Sequence, residues 1–346
     1  RRFRLRSAAA AGPGRGGTAT AAAPAAGEAA AESVNAARLL LVLTSACWAT
    51  YPVFVKVLGS VAGGTLDASL VTVIRYTLFA VMGVWLFPPG LLPWSGAKGE
   101  RAAVKFDAAE LAKASVEIAA WGIAGTLFNT WGIEHTSAIR AAILLSSINV
   151  ITPLLSVLIG SSAQDRNVSL QTWCSCGLSF AATAYATLPT GTGAAPGLRD
   201  GDAAVLAAAF CYAAVKVRLS GKARLFQPET LAAGRLLAGA FLSWIVFAVT
   251  SATGLEQDWF AKLVALPTEA WVLLVLSAAI PGVLATVLQA KGQRVVPPAQ
   301  AQTIYAAVPL FAATYDFFLL REPIEDRELL AGVAVIVGAA LAAREK

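Results

Sequence analysis

The chain has 346 residues, 57% of them hydrophobic and 14% charged, with a mean hydropathy of +0.65. Soluble domains run at roughly 45–50% apolar and about 25% charged, so the composition excludes a water-soluble fold and makes lipid the expected solvent. The net charge is +6, and 6 of the 27 Lys/Arg fall in the first 38 residues with no basic stripe among exposed aromatics. That pattern speaks for targeting and membrane topology and against nucleic-acid binding.

The elements in chain order begin with a leader. Arg1, Arg2, Arg4, Arg6 and Arg15 are scattered among Ala, Gly, Ser and Thr, and no acid precedes Glu28. An Arg-rich, hydroxylated, acid-poor segment is the composition of an organelle transit peptide. Residues 1–36 are therefore expected to be a disordered leader, with a disordered cytosolic tail as the plainer alternative. Gly12, Pro13, Gly14 and Pro24 interrupt the alanines and argue against a secretory signal. The chain does not open on Met, so a longer leader is expected.

Runs of about 20 apolar residues cross a bilayer as helices. Ten are predicted, at 37–58, 68–88, 114–134, 137–162, 168–188, 200–221, 228–251, 268–290, 298–320 and 326–343. The third carries Glu117, close enough to its expected start to favour the helix N-terminal dipole, and no transport role is assigned to it. The sixth ends in Lys216, Arg218, Lys222 and Arg224, which are assigned to a surface loop. Residues 89–113 hold Lys98, Arg101, Lys105 and Lys113 and are expected to lie on the surface. With ten spans, one side collects 14 Lys/Arg outside the leader and the other 6. The excess of positive charge puts both termini inside, facing cytosol or stroma.

The two halves echo one another. Thr72-Val-Ile-Arg75 in the second span matches Ala232-Ala-Gly-Arg235 in the seventh, and Ile151-Thr-Pro153 in the fourth matches Ala307-Val-Pro309 in the ninth. Five spans is an odd number, so a duplicated unit re-enters the membrane from the opposite face, the inverted repeat of many secondary transporters. The fold class expected is an all-α transmembrane ten-helix bundle of two inverted five-helix repeats, 37–188 and 200–343.

Five stretches carry a family resemblance. They are Cys47-Trp-Ala-Thr-Tyr-Pro-Val-Phe-Val-Lys56, the helix around Arg75, His135-Thr-Ser-Ala-Ile-Arg leading to Pro153, Pro298-Ala-Gln-Ala-Gln-Thr-Ile-Tyr-Ala-Ala-Val-Pro309, and Leu319-Leu-Arg-Glu322. In order and repetition, over about 37–343, they resemble the drug/metabolite transporter superfamily of EamA type. The resemblance implies export or exchange of small metabolites by alternating access. Glu322 matches the family's acidic residue after the ninth helix, whereas Gly160-Ser-Ser-Ala after the fourth has no such residue.

Charged groups inside spans are functional candidates, because lipid makes them costly. The substrate pathway is assigned to Trp48, Lys56, Arg75, Arg235, Tyr305 and Asp316, and helix kinking and gating to Pro153 and Pro309. Lys56 either attracts substrate or snorkels to the headgroups. Arg75 and Arg235 either clamp a carboxylate or phosphate or cap the open carbonyls of a broken neighbour. Asp316 either exchanges a proton or forms a fixed salt bridge to an Arg. Pro52 and Pro281 also kink spans, and Asn129, Gln289 and Gln302 are further polar candidates.

Other chemistry finds no support. Cys47, Cys174, Cys176 and Cys211 all lie in spans and His135 is the sole histidine, so no zinc set is expected. There is no P-loop, no Gly-x-Ser-x-Gly elbow and no His-Glu-x-x-His, so ATP-driven pumping and hydrolytic chemistry are not expected. No cofactor and no enzymatic activity are expected. The expected partners are a small-molecule metabolite and the bilayer, with a homodimer an allowed assembly and the plastid envelope the expected membrane. A passive channel and a non-transporting scaffold are the rival readings.

Overall fold

Apolar runs without water must satisfy their backbone internally, and helix is the local solution. A computed structural model describes residues 22–63, 68–87, 107–136, 138–186, 200–252, 258–321 and 326–343. The helices are α1 (Ala22–Val61), α2 (Ala68–Gly83), α3 (Ala108–His135), α4 (Ala138–Leu145), α5 (Ile148–Ile159), α6 (Ala163–Arg166), α7 (Leu170–Ala186) and α8 (Asp200–Ala223). They continue with α9 (Pro228–Ala252), α10 (Trp259–Val264), α11 (Thr268–Ala278), α12 (Ala285–Val295), α13 (Pro298–Tyr305), α14 (Val308–Tyr315) and α15 (Asp326–Ala343). No strand occurs among the described residues. Six stretches are long and apolar enough to cross a bilayer: Ser33–Val61, Ala108–Ile133, Ala141–Ile159, Gly201–Ala223, Pro228–Ala252 and Thr268–Val295. Leu70–Leu86 and Leu329–Ala342 are shorter apolar helices.

Four boundaries differ from those read off the sequence. Residues 1–21 lie outside the described residues, but the rest of the expected disordered leader is helical from Ala22, because its alanines are the strongest helix formers. Helix α3 starts six residues early, capped by Asp107, whose Oδ1 accepts from the amides of Ala109 (2.9 Å) and Glu110 (3.4 Å). The fourth predicted span is two helices, α4 and α5, divided by a turn at Ser146–Ser147. The ninth divides likewise at Ala306–Ala307, between α13 and α14.

The core is built for lipid. Its fully buried positions are mostly small, with Ala49, Ala114, Ala208, Ala213, Ala270, Ala278 and Ala301 all inaccessible, while Leu158, Phe241, Val249, Phe318 and Ile336 face outward. Lipid tails are as apolar as leucine, so helices gain little by hiding large side chains and associate through close contact of small ones. The crossing of α3 with α8 depends on this: a Cβ at Gly201 would sit 2.7 Å from the His135 carbonyl carbon and 2.8 Å from the Thr136 nitrogen. Hydroxyls inside the bundle bond back to their own helix, as Thr77 does to the Val73 carbonyl (2.7 Å) and Thr152 to that of Ile148 (2.7 Å).

The helices pack in definite pairs. Helix α3 lies along α8 and α9, α1 along α12 and α14, α2 along α9 and α11, α5 along α8, and α7 along α15. The fourth and ninth broken helices meet through α5 and α13, where buried Gln302 Nε2 donates to Asn149 Oδ1 at 2.6 Å.

Candidate functional site

A polar column runs through the bundle between α1, α2, α8, α9 and α11–α13. At one level, Arg75 of α2 lies over the Tyr51 ring of α1, with the guanidinium carbon 4.2 Å from the centroid. It also donates from Nε to Ser277 Oγ and from Nη2 to the Ser277 carbonyl, both at 3.2 Å. The cause lies in the sequence. Four residues beyond Ser277 stands Pro281, which has no N–H to offer that carbonyl, and a π-helical segment, Ala279–Leu284, joins α11 to α12 there. Arg75 thus caps a carbonyl that the proline leaves open.

Twelve residues further along the same helical rod, about 18 Å by helix rise, Arg235 of α9 donates from Nη1 to Gln289 Oε1 of α12 at 2.9 Å. Tyr305 at the end of α13 packs against Trp48 of α1, with centroids 4.9 Å apart. Lys216 of α8 approaches the same tyrosine, its Nζ 5.7 Å from the ring centroid. Trp48, Lys216, Arg235, Gln289 and Tyr305 therefore form one cluster, with Gln289 and Tyr305 buried.

Residues 199–344 match the family model described as the EamA-like transporter family. A solved structure described only as a crystal structure of a protein aligns over 88% of this chain and 97% of its own, with a TM-score of 0.66 at 16% identity, which establishes a shared fold. No curated protein matches the sequence. The apolar helices make this a multi-pass integral membrane protein, and its second half is similar to EamA-like transporters.

The structure distributes the sequence candidates unevenly. Trp48, Arg235 and Tyr305 come together with Gln289, and Arg75 stands at the other end of the column. Lys56 is exposed, two turns beyond Trp48 on α1. Asp316 starts a π-helical segment, Asp316–Leu320, after α14, and forms no ion pair with any described residue. Pro153 is buried in α5, six residues past the turn at Ser146–Ser147, and so does not make that break. Pro309 is exposed at the second position of α14, directly after its break.

The basic end of α8 resolves into three roles that the sequence reading merged. Arg218 and Lys222 face α3 and pair with Glu117, the lysine at 3.8 Å. Because α3 begins at Ala108, Glu117 sits in its third turn, too deep for the dipole role assigned to it. Lys216, Ser220 and Arg224, spaced by four, share the opposite face, and that spacing is the signal that could have separated them from Arg218 and Lys222. Arg224 binds Asp165 as a fork: Nη1 donates to Oδ2 at 2.8 Å and Nη2 to Oδ1 at 2.7 Å. The same guanidinium reaches Ser162 Oγ at 2.7 Å and the Arg294 carbonyl at 3.4 Å. Asp165, with no exposed side-chain surface, is locked further by the Ser162 amide (3.2 Å) within a capping box on α6. This latch joins the α5–α7 connection to α8 and to the α12–α13 connection. A cavity of about 260 Å³ opens beside it, lined by Arg38, Asp165, Thr172, Val296 and Gln300 among others, at the end of the bundle and away from the Lys216–Arg235 cluster.

Proposed function

We propose that this chain is a secondary transporter of small organic metabolites that works by alternating access between two inverted five-helix units, 37–188 and 200–343. The observation that carries the reading is the exchange symmetry of the packing. Exchanging the halves turns the α3–α8 pair into α12–α1, α3–α9 into α11–α2 and α5–α8 into α14–α1, while α2–α9 and α7–α15 map onto themselves. Arg75 and Arg235, the broken turns at Ser146 and Ala306, and the close-packed Gly132 and Gly292 are each 160 residues apart, which supports one duplicated unit. Two homologous halves of opposite orientation can rock about a shared centre, which is how such repeats give access to each side in turn. Trp48, Arg235 and Tyr305 line the proposed pathway where the halves meet. Arg75 holds the π-helical joint between α11 and α12, and Lys56 and Asp316 are proposed to act outside the central cluster.

The test is uptake into proteoliposomes holding the purified chain. Saturable uptake that unlabelled substrate accelerates from the opposite side supports a carrier. Flux without such counterflow identifies a channel, and absence of any flux a scaffold. The proposed membrane is the plastid envelope with both termini in the stroma, supported by the composition of 1–36 and the positive charge bias. A fluorescent protein fused to residues 1–40 that stays in the cytosol overturns the organelle assignment.

A further inference from the structure

Resting on the transporter reading, we propose that the transported species is an anion, held through a carboxylate or phosphate group between Lys216 and Arg235 with the Tyr305 hydroxyl as a third donor. Among the described residues the ion pairs of α8, α9 and α12 fall at one end: Glu117 with Arg218 and Lys222, Asp165 with Arg224, and Glu229 with Lys291. Lys216 and Arg235 lie deeper in the bundle, and neither forms an ion pair with a described carboxylate. Lys216 is only 8% exposed, and it stands eight residues, about 12 Å along α8, above the Asp165–Arg224 latch.

Two cationic donors converge on Tyr305. Arg235 has five N–H groups, and one is used, toward Gln289 Oε1. Lys216 meets only the tyrosine's ring face. Tyr305 Oη is itself buried, on a residue 4% exposed, with the Gln289 side chain beside it and no hydrogen bond of good geometry. Gln289 presents its oxygen to Arg235, and Gln293 turns its Nε2 away to the Lys216 carbonyl at 3.3 Å, so neither amide serves the lysine head. Two like charges in a water-poor interior are strongly unfavourable unless something negative lies with them. A carboxylate or phosphate is acceptor-only, carries the missing charge and accepts from lysine, guanidinium and phenol together. Trp48, stacked on Tyr305, offers an apolar wall for the remainder of the molecule.

The experiment uses the full chain, purified in detergent and in proteoliposomes. Sodium succinate and sodium phosphate, each against sodium chloride at equal ionic strength, probe the two head groups by the rise in melting temperature. One of them is expected to stabilise saturably. Lys216→Met and Arg235→Met should each weaken its apparent affinity about tenfold to a hundredfold, the worth of a charge-assisted hydrogen bond. Lys216→Arg should keep the response, Tyr305→Phe should weaken it less, and the exposed Lys113→Met should leave it unchanged. Melting of each variant in chloride alone reports its folding. Stabilisation by neither anion overturns the proposal, as does a response that survives in Lys216→Met. Labelled succinate, phosphate, glucose and choline are then followed in counterflow. Anion binding lost in the variants, with no counterflow of any solute, keeps the anion site and overturns the transporter reading. Counterflow of glucose or choline without anion stabilisation keeps the transporter and overturns the anion.

Discussion

Removing the arginine of the buried latch, as Arg224→Leu, should open the end of the bundle that it closes. In the structure Asp165 has no exposed side-chain surface and accepts four bonds: two from Arg224 at 2.7 and 2.8 Å, one from the Ser162 amide at 3.2 Å and one from Ser220 Oγ at 3.4 Å. The leucine removes the two short charge-assisted bonds and leaves a buried carboxylate with two longer neutral ones. Breaking a buried pair by deleting one partner costs about 3–5 kcal/mol. If the carboxylate regains water only when this end separates, the same energy favours opening by about a hundredfold to several thousandfold. The assay is a double-mutant cycle with Asp165→Asn, read by thermal melting and by thiol labelling of a cysteine placed at Thr172, which lines the adjoining cavity. Arg224→Leu alone should melt early and label fast. The double variant should recover most of both losses, giving a coupling of about 2 kcal/mol or more. A coupling below about 0.5 kcal/mol, the worth of an exposed pair, would refute the latch, as would labelling that Arg224→Leu leaves unchanged.

Further outcomes follow from other contacts. Arg75→Leu should destabilise by about 1–3 kcal/mol by uncapping the Ser277 carbonyl, and Pro281→Ala should cancel most of that loss by restoring an amide at the right spacing; a melting cycle reads the coupling. Gly201→Val should lower the yield of folded protein sharply, because its first carbon already meets the α3 backbone; size-exclusion profiles measure this. A split fluorescent-protein tag on the C-terminus should assemble only with a partner on the stromal or cytosolic side, and assembly from the opposite side overturns the orientation drawn from loop charge.

The helical class was legible because lipid leaves few alternatives: an apolar run must be helix, and six apolar helices among the described residues are long enough to cross a bilayer. The interruptions were not. Ser146–Ser147 carries no proline or glycine, and the break there answers to packing against α8 and α13, elements that come later in the chain. Pro281 was visible as a kink, but the π-helical joint and its guanidinium cap depend on α2 lying alongside. Glu117 was misassigned because the Asp107 cap moved the helix start by six residues. Lys216 was missed for a related reason: in a run with Arg218, Lys222 and Arg224 it reads as a surface charge, and only helical phase together with Tyr305, 89 residues away, puts it in the centre.

The two ends of the bundle are fastened with different materials. At the end that the charge bias assigns to the inside, the Asp165 carboxylate has no exposed surface, while Glu229–Lys291 and the pairs of Glu117 are within reach of dissolved ions. At the other end Thr136 Oγ1 donates to buried Asp202 at 2.7 Å, beside backbone-close packing at Gly201. Solution ions screen the exposed pairs and barely touch a close-packed crossing. A carrier of this build would then feel salt at its inner end through the Glu229–Lys291 and Glu117 pairs, so the ionic composition of that compartment tunes how readily that end opens.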